Sequence, residues 1–166
     1  MRFKGLTVIP MQKKFNTVAV GGTFDELHKG HKVLLLKAFD LGEQVQIGLC
    51  SDNFVKRLSK PHMTASYGQR LRELEAFLQQ NGLRKRAEIV RIDDPFGPTL
   101  SEQGLEALVV SKETEPNASL INKKRKEAGL PPLQIVAIDM IPSENHLPIS
   151  TTRIRCGEID REGRLL

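Results

Sequence analysis

Short apolar runs alternate with helix-like stretches along nearly the whole chain of 166 residues. Apolar or alternating runs predict five strands, at 18–20, 45–49, 89–92, 105–110 and 133–138. Helical spacing, caps and stop residues predict helices at 30–41, 71–78, 118–128 and 150–158, the third of them with Asn117 as its N-cap. Alternation of this kind is typical of a parallel sheet with helices on both faces. Ligands of such sheets bind at the carboxyl ends of the strands, so functional residues are expected in the loops that follow the strands.

The composition is that of an ordinary globular chain, with 39% hydrophobic and 27% charged residues, and it favours a single domain over 11–166. The first strand is expected to begin near Phe15, so residues 1–10 precede the fold. We expect these ten residues to be an N-terminal extension that is either not native, with Met11 as the natural start, or loosely attached. No apolar run is long enough to cross a bilayer, so we expect no membrane partner. Cys50 and Cys156 make neither a disulfide scaffold nor a zinc-ligand set, which favours a cytoplasmic location.

The net charge of +5 and the pI of about 9.4 fit two kinds of partner, nucleic acid or small polyanionic metabolites. The chain has no Trp and only one Tyr, which leaves little aromatic surface on which bases could stack. We therefore expect no nucleic-acid partner, and a small enzyme that handles phosphorylated metabolites.

The stretch GGTFDELHKGH, residues 21–31, joins the first predicted strand to the first helix. Its two adjacent glycines let the backbone approach a ligand closely, and the helix that starts near Gly30 offers free N–H groups to a phosphate. The spacing matches neither a Walker A loop nor G-x-G-x-x-G. The imidazoles of His28 and His31 can donate hydrogen bonds to phosphate oxygens without permanent charge. The stretch thus predicts a phosphate site.

A metal site at the same two histidines is an alternative, because Asp25 and Glu26 lie close in sequence. It lacks clear third and fourth ligands of the usual type. Asp25 is better suited to shaping the turn.

The same stretch resembles the T-x-x-x-x-H-x-G-H signature of the nucleotidyltransferase superfamily, which is related to class I aminoacyl-tRNA synthetases. ISTTRIR, residues 149–155, resembles the second signature of that superfamily, I-S-S/T-T/S-x-x-R. Between them, RIDDPFGPT, ALVVSKET and INKKRKEAGLPPLQIVAIDMI are similar to the archaeal and eukaryotic type of phosphopantetheine adenylyltransferase. The resemblance covers residues 15–156. It implies a Rossmann-like nucleotidyltransferase fold and adenylyl transfer from ATP to 4′-phosphopantetheine, giving 3′-dephospho-coenzyme A and pyrophosphate.

The resemblance also implies roles for individual residues. Thr23, His28, His31 and Lys60 would be the catalytic residues, with Thr23 and Lys60 on the substrate phosphate. ATP would be bound by Gly21, Gly22, Thr23, His28, Gly30, His31, Ser150, Thr151, Thr152 and Arg153. Asp94 and Lys112 follow strands and would lie on the substrate side. Mg²⁺ would arrive with ATP, held by phosphates and water rather than by protein ligands.

Several of these residues also have a plain structural interpretation. Lys60 could be an ordinary solvated lysine. Arg70 could serve a phosphate or pair with Glu73. Lys124 and Arg125 could reach ATP phosphates, or belong to the solvated face of a basic helix.

The reacting phosphate of 4′-phosphopantetheine is already ionised at neutral pH, so the reaction needs no strong general base. Catalysis would consist of positioning and of stabilising charge on the α-phosphate and pyrophosphate. Two alternatives remain. One is another small nucleotidyltransferase, such as a cytidylyltransferase or an FAD synthetase, and the other is a non-catalytic RNA- or nucleotide-binding module.

Overall fold

The central feature is a five-stranded parallel sheet, seen in a computed structural model that describes residues 12–166. Its strands are β1 (Phe15–Gly22), β2 (Gly42–Cys50), β3 (Ala87–Ile92), β4 (Ala107–Ser111) and β5 (Gln134–Ile138), in the order β3-β2-β1-β4-β5. The predicted α/β class and the five parallel strands are confirmed. The expected extension and the choice of Met11 as the start lie outside the described residues.

Five helices accompany the strands in residues 12–166: α1 (Lys29–Leu41), α2 (Asp52–Arg57), α3 (Tyr67–Gln80), α4 (Glu115–Glu127) and α5 (Thr151–Arg155). Short 3-10 turns lie at Arg84–Arg86 and Gly97–Leu100. The six-residue α2 was not predicted, because it is too short to show helical periodicity.

Two helix boundaries differ from the sequence prediction. The N-cap of α4 is Thr114 rather than Asn117, and the Asn117 amide instead donates to the Pro95 carbonyl oxygen at 3.0 Å. The last helix ends at Arg155 rather than at residue 158. Two residues after its end, Gly157 has a positive φ of 73°. A glycine in that conformation ends a helix at little steric cost.

The two faces of the sheet bury different side chains, because successive residues of a strand point to opposite sides. Val18 and Val20 of β1 join Ile47 and Leu49 of β2 in a core beneath α1 and α3. On the opposite face, a second core gathers residues of β1, β4 and α4: Ala19, Leu108, Val110, Ala118 and Ile121. Each large apolar side chain buried in this way contributes roughly 1.5–3 kcal/mol.

The strand order reverses at β1, which lies between β2 and β4. The chain leaves β1 through α1 to reach β2, and it later returns to the other side of β1 as β4. The crevice of such a sheet opens where the order reverses, at the carboxyl ends of the strands. The stretch that begins at Gly21 and continues into α1 stands at this point.

Candidate active site

The turn between β1 and α1 is organised by two histidines. His28 is the N-cap of α1, and its Nδ1 accepts from the backbone N–H of His31 at 3.3 Å. The Nδ1 of His31 accepts in return from the backbone N–H of His28, also at 3.3 Å. The two rings stack with their centroids 3.6 Å apart, and the rings of Phe24 and His31 pack in a T-shaped arrangement with centroids 5.4 Å apart. The pair therefore forms a capping box, built here from imidazoles.

These hydrogen bonds decide which nitrogen of each ring carries the proton. A nitrogen that accepts a hydrogen bond carries no proton, so neutral His28 and His31 must both be protonated at Nε2. Burial lowers the pKa of His28 to about 4, with nearby Arg161 as the next cause. Burial, and then the charge of His28, holds the pKa of His31 well below 6.5. Near pH 7 the site thus offers two uncharged Nε2–H donors.

The lowered pKa values make the free energy of unfolding depend on pH. Since the pKa of His28 is about 4 in the folded protein and 6.5 when unperturbed, the unfolded state binds more protons between these values. The contribution of His28 to the free energy of unfolding is therefore fully present above pH 6.5, and it falls as the pH is lowered. We expect the His28 contribution to fall by about 2 kcal/mol between pH 7 and pH 5. Urea unfolding at the two pH values measures this.

The matched control for that experiment is His28→Asn, because asparagine is also a good N-cap but does not titrate. The variant should lose the His28 share of the pH dependence and keep the share of His31 that comes from burial. An unchanged pH dependence in His28→Asn would contradict the assignment.

Gly30 is required by the position of the His28 ring. A Cβ built at Gly30 would lie 3.0 Å from His28 Cε1 and 3.1 Å from its Nδ1. A larger residue would force the His28 ring to move by a few tenths of an ångström from its position at the start of α1. This contact is the physical reason for a glycine between the two histidines.

Thr23 and Lys60 meet at the same edge of the sheet. Lys60 lies in the loop after α2, and its Nζ donates to Thr23 Oγ1 at 3.4 Å. Cys50, at the end of β2, lies beside Thr23, because one nitrogen of Arg70 donates to the carbonyl oxygens of both residues at 2.8 Å. Burial raises the pKa of the Cys50 thiol. Lys60 is therefore aimed at the centre of the site, in contrast to a lysine that points freely into solvent.

The hydroxyl residues at the start of α5 complete this edge. Ser150 is the N-cap, with its Oγ accepting from the backbone N–H of Arg153. Thr151 Oγ1 donates to the Asp25 carbonyl oxygen at 3.0 Å, which ties α5 to the turn after β1. The guanidinium of Arg153 is used differently from the prediction, because it binds Glu158 and the side chains and carbonyls of residues 143–148.

Arg155, which sequence reasoning did not select, connects the two sequence motifs. Its guanidinium lies 2.9 Å from Oδ1 of Asp25, a side chain with no exposed surface, and 3.1 Å from Glu26. Phe24 and Glu26 have positive φ angles of 50° and 54°, which non-glycine residues rarely adopt. The ion pairs hold this unfavourable turn in place. The signal was present, since Arg155 is the final residue of the second motif.

A second arginine near the C-terminus, Arg161, also holds the turn that precedes α1. Arg161 binds Glu26 at 2.8 Å and Glu73 at 3.1 Å, and its carbonyl oxygen accepts from the backbone N–H of Lys29 at 2.9 Å. The pairing of Asp25 and Glu26 with arginines removes them as partners for a metal at the histidines. In residues 12–166, no three His, Cys, Asp or Glu side chains are grouped so that they could hold a metal ion.

The two histidines, Thr23, Lys60 and the start of α5 border a cavity of about 670 Å³. The predicted residues that line it are Gly21, Gly22, Thr23, His28, Gly30, His31, Lys60, Ser150, Thr151 and Thr152. Arg153, Asp94 and Lys112 are not part of its lining. Asp94 instead accepts from the backbone N–H groups of Phe96 and Gly97, and Lys112 pairs with Glu115 at 3.8 Å.

Both suggested roles of Arg70 are wrong. Its side chain is 1% exposed, and it donates to the carbonyl oxygens of Thr23, Cys50 and Ala65. It also pairs with Asp52 rather than with Glu73. Arg70 therefore braces the loops behind the site.

Arg125 is likewise buried, so it neither reaches a phosphate nor lies on a solvated face. Its guanidinium donates to the carbonyl oxygens of Thr99, Glu102 and Pro131. Lys124 lies over the ring of Phe96, with Nζ 5.3 Å from the centroid. Both residues hold the loop after β3 against α4.

Comparison with known proteins places the geometry in context. Residues 19–157 match the cytidylyltransferase-like family model. The chain is 44% identical to the phosphopantetheine adenylyltransferase of Methanothermobacter thermautotrophicus over 156 residues, which are 94% of this chain and 93% of the relative. It is 47% identical to the enzyme of the same name from Pyrococcus abyssi over 150 residues, 90% of this chain and 95% of the relative.

Among solved structures, a protein of unknown function from Archaeoglobus fulgidus matches with a TM-score of 0.67 and 38% identity. The match covers 74% of this chain and 89% of that one. Within residues 12–166, no helix combines the length and the apolar character that crossing a membrane would require.

Proposed function

The chain belongs to the phosphopantetheine adenylyltransferases, within the cytidylyltransferase-like proteins, and we propose that it transfers the adenylyl group of ATP to 4′-phosphopantetheine. The products are 3′-dephospho-coenzyme A and pyrophosphate. The observation that carries the proposal is one cavity in which Thr23, Lys60 and two neutral imidazoles converge at the reversal of strand order.

The phosphate of 4′-phosphopantetheine is the nucleophile and attacks the α-phosphorus of ATP in line, so pyrophosphate leaves from the opposite side. Lys60 and Thr23, in contact at 3.4 Å, hold this phosphate. Nothing needs to remove a proton from it, since it is ionised at neutral pH. This explains how the site works with histidines whose pKa values are low.

The Nε2–H groups of His28 and His31 donate to oxygens of the ATP phosphates. Donors fixed before the reaction stabilise the negative charge that develops at the α-phosphate, and they need no rearrangement at that moment. The capping box fixes both rings, since each Nδ1 is held by the backbone of the other residue. Gly21, Gly22 and Gly30 leave room for the phosphates.

Ser150, Thr151 and Thr152 lie at the β- and γ-phosphate end in this proposal. Mg²⁺ bound to ATP would neutralise part of the charge on these phosphates. Arg153 assists only indirectly, because its guanidinium binds Glu158 and residues 143–148.

The test is pyrophosphate release with Mg²⁺ and each pairing of ATP or CTP with 4′-phosphopantetheine, FMN or glycerol phosphate. We expect release that depends on both ATP and 4′-phosphopantetheine. Release with CTP and glycerol phosphate, or with ATP and FMN, would instead identify a cytidylyltransferase or an FAD synthetase. No release with any pair, together with salt-sensitive RNA binding, would indicate the non-catalytic alternative.

A further inference from the structure

The cavity continues from the phosphate residues onto the second face of the sheet. Its floor there is made by small residues, among them Ala19 and Gly48. Phe96 and Pro98, from the loop after β3, also line it, as do the apolar side chains that α4 turns toward the sheet. The result is a mainly apolar groove that leads away from Lys60.

A buried glutamine lies among these apolar side chains. Gln46 of β2 is 7% exposed, and its Nε2 donates to Glu88 Oε2 at 3.2 Å. Because a carboxylate oxygen accepts, this contact fixes which end of the amide is nitrogen. The other end, Oε1, is buried and has no hydrogen-bond partner among the described residues. A buried acceptor without a partner is rare and unfavourable, which points to a ligand that donates to it.

The position of Gln46 sets the length of that ligand. Gln46 is four residues before Cys50. The carbonyl oxygen of Cys50 accepts from the same Arg70 nitrogen as the carbonyl oxygen of Thr23 at the phosphate end. Four residues of β-strand span roughly 13 Å. The arm of 4′-phosphopantetheine, with its two amides, is about as long as an extended peptide of four residues, also roughly 13 Å. An arm that starts at Lys60 and runs along β2 therefore brings its distal amide to Gln46.

We propose that the groove receives the pantetheine arm and that Gln46 Oε1 accepts a hydrogen bond from the N–H of the distal amide. This inference rests on the proposed function. The methylene groups and the geminal methyls of the arm contact the apolar lining, while Gln46 recognises the amide. Gln46 is thus a residue that determines specificity for the acceptor substrate.

The first test is the steady-state kinetics of Gln46→Met, which keeps the length of the side chain and removes the acceptor. We expect the KM for 4′-phosphopantetheine to rise about tenfold, while kcat and the KM for ATP stay within about twofold of wild type. Gln44→Met is the matched control, because it makes the same change at an exposed residue of β2 that does not line the cavity. It should change none of these constants by more than about twofold.

The second test leaves the protein unchanged and alters the substrate. An analogue with an ester oxygen in place of the distal amide N–H should have a KM about tenfold higher on the wild-type enzyme. The same analogue should lose little further on Gln46→Met, because the two changes remove one hydrogen bond.

Three results would overturn the proposal: an ester analogue that binds as well as the natural substrate, equal effects of Gln44→Met and Gln46→Met, or a rise in the KM for ATP alone. The last would assign the groove to the nucleotide. The activity of the wild-type enzyme separates a failure of this inference from a failure of the proposed function. An active wild type with an indifferent Gln46 refutes only this inference, whereas an inactive wild type refutes the proposed function.

Discussion

Replacement of His31 by alanine is expected to lower kcat by about two to three orders of magnitude, with a much smaller change in the KM for ATP. The reason is that the Nε2–H donor matters most when charge develops on the α-phosphate. A donor that acted equally on bound ATP would change KM instead. Steady-state kinetics with ATP varied at saturating 4′-phosphopantetheine measures both constants.

Two further variants separate the two nitrogens of the ring. Asparagine places an acceptor near the position of Nδ1, so His31→Asn should keep the bond from the His28 backbone N–H and lose the donor. Glutamine reaches further and places an N–H near the position of Nε2, so His31→Gln should recover part of kcat. The opposite order, with asparagine active and glutamine inactive, would assign the role of His31 to helix capping alone.

Replacement of Arg155 by methionine is expected to destabilise the protein by about 3 kcal/mol, because Asp25 would be left as a buried charge without its partner. The turnover number should also fall by about tenfold or more, since the turn that carries Thr23 and His28 would shift. Urea unfolding and steady-state kinetics measure the two effects.

Arg164→Met provides the control for this prediction. Arg164 lies in the same C-terminal segment, but its side chain is 70% exposed and 3.9 Å from Asp160. Its loss should cost less than about 0.5 kcal/mol. In the Arg155→Met background, Asp25→Asn should cost less than it does alone, because the unpaired charge is then removed. Additive effects would mean that Arg155 and Asp25 do not act as a pair.

The strands and the phosphate turn could be predicted from the sequence because their signals are local. Each strand is a short apolar run, and parallel strands that alternate with helices leave few arrangements of the sheet. The turn at 21–31 is recognisable because Gly30 and the two histidines depend on one another within four residues. Even so, the sequence did not reveal that His28 is the N-cap of α1.

The buried arginines could be predicted only in part. Arg70 shares a face of α3 with Leu74 and Leu78, and Arg125 shares a face of α4 with Ala118 and Ile121. Helical spacing could have indicated burial for both, but from the sequence we assigned them to phosphates, an ion pair or a solvated face. Their partners are backbone carbonyls in loops that are distant in sequence. Local patterns contain no information about such contacts.

The role of Gln46 was also beyond the sequence. A glutamine in an apolar strand indicates a polar residue with some partner, but the sequence does not show that only one end of its amide is satisfied. That asymmetry depends on Glu88 of the neighbouring strand and on the small residues across the groove.

The transfer of the α-phosphorus is the most direct test of the account. The enzyme would be incubated with Mg²⁺, 4′-phosphopantetheine and ATP labelled at the α-phosphorus, and the products separated. We expect the label in 3′-dephospho-coenzyme A, with one pyrophosphate released for each labelled molecule. Label found in free AMP, or pyrophosphate released without labelled 3′-dephospho-coenzyme A, would contradict adenylyl transfer to this acceptor.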